Sequence, residues 1–189
     1  ILNRLLRFQF EDDEEQIFKF LTNLWQVINR ECPKLNTFIL VSILSSAGKN
    51  YFLNPFLAIQ LNVGVIPDLT REAGRFALDN LHGRRAAEWN EPYYEDDKFN
   101  MLKKVLGGDP FPTELKHKEK VIIQRLPVFI MANAVPDFAR SGYFRDRIVM
   151  YTWVECPFLK EYTKYPHPLA TIELFKQWSI GIFSSNKTN

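Results

Sequence analysis

Five short apolar runs, at 37–44, 63–66, 85–89, 127–131 and 147–154, divide the chain, with stretches of helical character at 51–61 and 96–106 between them. Runs of this length, bounded by Gly, Pro or Asn, read as buried strands. Strands that alternate with helices pair in parallel, because each crossover returns the chain to the same end of the sheet. The pattern therefore predicts an α/β fold with a central, mostly parallel sheet flanked by helices. Ligands of such sheets bind beyond the carboxyl ends of the strands, so the residues that follow each run are the ones to inspect for chemistry.

The flanking segments fit this frame. Residues 12–31 read as an amphipathic helix, with Ile17, Leu21, Leu24 and Ile28 at helical spacing and Phe18 and Trp25 beside them. Asp12, Asp13, Glu14 and Glu15 crowd its start, where the helix dipole favours negative charge, and Pro33 ends it. Gly107 and Gly108 close the helix at 96–106. Residues 113–124 read as a hairpin with a charged tip, and 168–178 as a last helix.

Composition removes several classes. The net charge of +2 is too small to attract nucleic acid by bulk charge, so DNA contact would need a local cluster. The two cysteines, Cys32 and Cys156, are far apart, which excludes a disulfide framework and fits a reducing compartment. The three histidines have no metal-ligand spacing. The apolar runs, 38–41 among them, are too short to span a bilayer, so no membrane contact is expected. The first residue is Ile rather than Met, as expected for a piece of a longer protein.

Five constellations carry chemistry. Ser46-Ala47-Gly48-Lys49-Asn50 follows the first strand and opens a helix. Small residues there let backbone amides wrap phosphates, a Lys reaches the β and γ oxygens, and a polar oxygen faces Mg²⁺. Asn50 stands where Ser or Thr is usual, and Ile43 stands where the pattern has its first glycine. Forced to positive φ, a β-branched residue is strained by about 1–3 kcal/mol. Trp89-Asn90-Glu91-Pro92 ends another strand, placing Glu91 to polarise a water and Asn90 beside a metal shell. Glu88 interrupts that strand and has to be paired, protonated or exposed. Lys116-His117-Lys118 on the hairpin tip suits phosphate and sugar contacts. Asn133 ends the 127–131 strand, and Phe144-Arg145-Asp146-Arg147 precedes the last one. Each of these alone is also what a surface turn, a strand-ending turn or a surface ion pair looks like. Their order along the chain is what joins them.

In that order, the motifs resemble the superfamily-three helicase domain of the parvovirus large non-structural protein, the densovirus branch above all. The residues that carry the resemblance are 46–50, 89–92, 106–110, 125–133 and 144–147, and it spans roughly residues 34–155. It implies an AAA-like P-loop domain at 35–183, a partial helical oligomerisation segment at 1–34 and a short tail at 184–189. It further implies ATP and Mg²⁺ bound between subunits of a homo-oligomeric, usually hexameric, ring that moves single-stranded DNA in the host nucleus. Carried across by position, Ser46, Ala47, Gly48 and Lys49 would hold the phosphates, with Asn50 and Glu91 near the metal. Glu91 would be the catalytic carboxylate, Asn90 its neighbour at the metal and Asn133 the phosphate sensor. Arg147 would be the trans-acting arginine finger, with Arg145 second, and Lys116, His117 and Lys118 would grip DNA. Ile43-Leu44, Glu88 and Ala132 depart from the family pattern. They leave open a decayed, host-integrated copy that folds, assembles or binds DNA without hydrolysing ATP.

Overall fold

The computed structural model describes residues 1–72, 77–114 and 120–184. Five strands form one parallel sheet: β1 (Thr37–Val41), β2 (Val63–Val65), β3 (Ala86–Asn90), β6 (Val128–Ala132) and β7 (Ile148–Thr152), in the spatial order β2-β3-β6-β1-β7. The fold is the expected α/β P-loop arrangement. Between β3 and β6 in sequence, β4 (Phe111–Thr113) and β5 (Val121–Ile123) make a separate antiparallel hairpin, pairing Phe111 with Ile123 and Thr113 with Val121.

The central strands are covered on both faces, as parallel sheets require. Every residue of β1 and β6 is buried. Alternation sends Phe38 and Leu40, with Phe129 and Met131, to one core, and Ile39 and Val41, with Val128 and Ile130, to the other. The first core is closed by α1 (Leu2–Gln9), α2 (Glu14–Asn29), α3 (Lys49–Ala58) and α5 (Leu169–Gln177). The second is closed by α4 (Phe99–Gly107) and the turns around Phe138 and Phe144.

Local chemistry sets the element ends. Asp13 caps α2: its carboxylate accepts from the Gln16 backbone N–H at 3.0 Å and from the Gln16 side chain at 2.7 Å. These bonds hold the Asp13 carboxyl below the usual range. The buried stripe of α2 holds the expected Ile17, Leu21, Leu24 and Ile28, and adds Phe20 and Val27. Phe18, expected beside the stripe, is exposed, and Phe20 instead packs edge-on against Phe38, Phe52 and Tyr151. The helical region at 1–34 thus holds two helices rather than one. Helix α3 starts two residues before the expected 51 and runs through Pro55 to Ala58. Gly108 closes α4 at φ +71°, where a Cβ would stand 2.7 Å from the Asn36 side chain.

Candidate functional site

Register decides where the strand-end residues go. Val41 lies beside Ala132, and Asn90 beside Met131. The chain therefore leaves β1, β3 and β6 at the same edge of the sheet, bringing the loop at 42–48, Glu91 and Asn133 together. Trp89 anchors the end of β3 by stacking on Phe138 at 6.1 Å with planes 4° apart. The next residue but one, Glu91, takes φ +45°, an uncommon conformation for a non-glycine residue.

Lys49 is the centre of the arrangement. Its ammonium donates to Ser42 Oγ at 2.8 Å and to Asn133 Oδ1 at 2.9 Å. Glu91 Oε2 accepts from the Asn133 backbone N–H at 3.0 Å. The Lys49 side chain is 8% exposed. Burial pushes its pKa below the ordinary lysine value, and the nearby Glu91 carboxylate opposes that shift. The three residues that sequence placed at three strand ends share one cavity of about 450 Å³ with Ser45, Ser46, Ala47, Gly48 and Asn50. That volume lies in the range of ligand pockets.

Gly48 is the N-cap of α3, and no side chain caps it. The first-turn amides of the helix have no intrahelical acceptor, and the dipole places partial positive charge there. With a buried ammonium beside it, this is an anion-binding arrangement. A Cβ at Gly48 would come within 2.6 Å of Leu159 and 3.1 Å of Leu5, and the residue sits at φ +88°. The left-handed backbone favours glycine there, and a Cβ would also press on the tips of two leucine side chains.

The strain expected at Ile43 is not there. The left-handed residues of the loop are Ser46, at φ +65°, and Gly48. Ile43 keeps a negative φ and stands 80% exposed, so no left-handed penalty follows from its side chain. Asn90 is not on the cavity wall: its side chain donates to Glu88 Oε1 at 2.7 Å, which pairs the carboxylate that interrupts β3.

Arg147 lies elsewhere. It precedes β7, at the end of the sheet away from Lys49, where its carbonyl accepts from the Asn36 and Thr37 N–H groups. Its guanidinium donates to the Lys103 carbonyl at 2.9 Å and pairs with Asp109 at 3.1 Å, not with the adjacent Asp146. Arg145 is exposed, and its side chain makes no hydrogen bond or ion pair with any described residue. Lys116, His117 and Lys118 lie outside the described residues; the two strands that would carry them form the expected hairpin.

Sequence reasoning missed the walls of the cavity. Gln9 of α1 donates to the Ala47 carbonyl at 3.1 Å and to the Val154 carbonyl at 2.8 Å, and accepts from the Val154 N–H at 2.8 Å. It joins the phosphate-type loop to the chain leaving β7. Leu159, Lys160 and Tyr165 line the cavity from a segment after β7 that has no periodic pattern.

Over 180 residues the chain is 38% identical to the initiator protein NS1 of Junonia coenia densovirus, covering 95% of this chain and 33% of that protein. The chain is a homologue of densovirus NS1. The NS1 of Bombyx mori densovirus is 36% identical over 186 residues, covering 94% of this chain and 21% of that protein. The chain thus spans a third or less of the NS1 proteins it matches. Among solved structures, the JCV helicase matches with a TM-score of 0.61 at 11% identity, over 93% of this chain and 62% of that one. The C-terminal region of NrS-1 matches at 0.57 and 16% identity, over 94% and 42%. At these identities the structures establish the fold this NS1 homologue shares with them. No protein-family profile matches the chain.

Proposed function

We propose that this chain is the ATP-hydrolysing helicase domain of a densovirus-type replication initiator, working as a ring, of six subunits, on single-stranded DNA in the host nucleus. The observation that carries the proposal is the meeting of Lys49, Glu91 and Asn133 in one cavity at the carboxyl edge of a parallel sheet. Homology to NS1 initiators supports the setting, and the shared fold supports the reaction class.

The residues fit a magnesium-bound nucleoside triphosphate. An uncapped helix N-terminus and a buried ammonium suit the phosphates. Asn50 and Glu91, which line the cavity, are the oxygen donors assigned to the metal in this reading, and Asn90 would join them only if its bond to Glu88 opened. The ion would arrive with the nucleotide, as no cluster of three His, Cys, Asp or Glu side chains stands ready among the described residues. Bound there, Mg²⁺ would neutralise charge on the β and γ oxygens.

This chain's own residues then have distinct tasks. Lys49 gives up two neutral oxygens, Ser42 and Asn133, for phosphate oxygens. The freed Asn133 amide can hold the γ-phosphate or the attacking water. Glu91, fixed by the Asn133 N–H, orients and polarises that water. A guanidinium from a neighbouring subunit completes the charge balance. Arg145 is the better fit for that role, because the Arg147 guanidinium is occupied within its own chain. The hairpin bearing Lys116, His117 and Lys118 is assigned to the DNA strand.

Turnover of ATP by the oligomeric protein, with and without single-stranded DNA, is the test. Stimulated turnover that disappears in Lys49→Ala is expected. Folded, oligomeric wild type with no turnover at millimolar ATP would overturn the catalytic reading in favour of an assembly or DNA-binding module without hydrolysis. The absence of left-handed strain at Ile43 removes one ground for that second reading, while Glu88 and Ala132 still depart from the family pattern.

A further inference from the structure

The cavity has a wall that phosphate chemistry does not use. After β7 the chain buries Trp153, donates the Cys156 N–H to the Ser46 carbonyl at 3.1 Å and turns through Pro157–Glu161. Leu159, Lys160 and Tyr165 of this segment face the same cavity as Gly48 and Lys49. Tyr51, in the first turn of α3, stacks on Tyr165 with centroids 5.6 Å apart and planes 30° from parallel. The Tyr51 hydroxyl donates to the Lys164 carbonyl at 3.0 Å, tying the segment to the helix that starts at the phosphate-type loop. Burial pushes the Tyr51 phenol up, so it stays protonated and keeps that bond.

Tyr165 is therefore supported on one side by Tyr51 and still 65% exposed. Leu159 supplies an apolar surface beside it, and the Lys160 ammonium stands 3.5 Å from Glu155. A preformed, exposed aromatic ring at the rim of an anion-binding cavity suits the flat base of a nucleotide whose phosphates lie on Lys49. Besides the Tyr165 hydroxyl, the residues of this segment that line the cavity offer one polar side chain, Lys160, and none of them is an Asn, Gln, Asp or Glu that could read a base edge. Stacking depends on ring area and polarisability, not on donor and acceptor pattern.

Resting on the reading of this cavity as a nucleotide site, we infer that Tyr165 is the platform for the base, and that the site takes purine nucleoside triphosphates with little preference between adenine and guanine. Pyrimidine triphosphates bind more weakly because they cover less of the ring.

Calorimetric titration of the full chain with ATP, GTP, CTP and inorganic tripolyphosphate, each with Mg²⁺, tests this. Tyr165→Leu, which keeps bulk but removes the ring, is expected to weaken ATP and GTP alike by about tenfold. It should leave tripolyphosphate unchanged, and Tyr165→Phe should bind like wild type. ATP and GTP are expected within about threefold of each other, with CTP weaker. The proposal fails if Tyr165→Leu leaves ATP affinity unchanged, or weakens tripolyphosphate equally, which would mark a structural role. It also fails if GTP is rejected by about a hundredfold or more, which would mean that the base edge is read. Wild type that binds tripolyphosphate but gains nothing from the base sinks this inference alone. Folded wild type that binds neither sinks the nucleotide reading together with it.

Discussion

The two ends of the sheet hold the same kinds of residue and use them differently. At the amino end, Arg125 donates to the Cys32 carbonyl at 2.6 Å and the Leu35 carbonyl at 2.7 Å, and Asn36 donates to the carbonyls of Val105 and Leu126 at 3.2 and 2.8 Å. Arg147 is held by the Lys103 carbonyl and Asp109. These cations and amides donate to backbone carbonyls at the element ends, those of Cys32, Leu35 and Leu126 among them, so they act as structural ties. At the carboxyl end, Lys49 is buried but rests on a hydroxyl and a side-chain amide. Those weak partners can be exchanged for a ligand's oxygens without leaving a backbone group unpaired. A buried polar residue that ties down main chain is architecture, while one that rests on other side chains is available for chemistry.

Substitutions at each end sharpen the contrast. Glu91→Gln is expected to lower turnover by about a hundredfold or more while nucleotide affinity changes by less than about threefold, as steady-state kinetics and calorimetry would read. A matching loss of affinity would mean that Glu91 holds ligand rather than water. At the other end, Asn36→Ala should cost about 1–3 kcal/mol of stability in urea unfolding, because it removes the side-chain donor to the Leu126 carbonyl, with nucleotide affinity of the folded protein unchanged. The two arginines should separate in the same way. Arg147→Ala should destabilise by about 1–2 kcal/mol, whereas Arg145→Ala should spare stability and reduce turnover only in the assembled ring. If Arg147→Ala instead spares stability and abolishes turnover, the boundary between the ends disappears.

A smaller effect concerns pH. Free Lys49 has a lowered pKa because its charged form is buried, whereas a bound polyanion favours the charged form. Binding therefore takes up protons on the alkaline side, and affinity should fall as pH rises. The fall should begin below the range of an ordinary lysine, and Lys49→Arg should flatten it. Folding has the opposite sign: charged Lys49 opposes the folded state below its depressed pKa, and that burden lifts as pH rises through it.

How far the sequence revealed this division depended on the range of the interactions. Apolar runs and their punctuation located all five parallel strands, and with them Glu91 and Asn133, because strand ends are set by local chemistry. The α2 cap was visible as acidic residues before an apolar period, though only packing decided that Phe20 goes inside and Phe18 stays out. The ties of Arg147 are with Lys103 and Asp109, more than 30 residues away, and a sequence period carries no sign of such pairs. Tyr165 reaches the cavity, and Gln9 the loop that lines it, through tertiary packing that no motif or period announces. Ile43 taught the reverse lesson. Position in a pattern suggested a left-handed residue, but the chain makes its turns at Ser46 and Gly48 instead.

The most direct test is a crystal structure of the chain with a non-hydrolysable ATP analogue and Mg²⁺. The account requires the Lys49 ammonium to leave Ser42 and Asn133 for phosphate oxygens, with Glu91 facing the γ-phosphate. A nucleotide bound elsewhere, with both Lys49 hydrogen bonds intact, would contradict it.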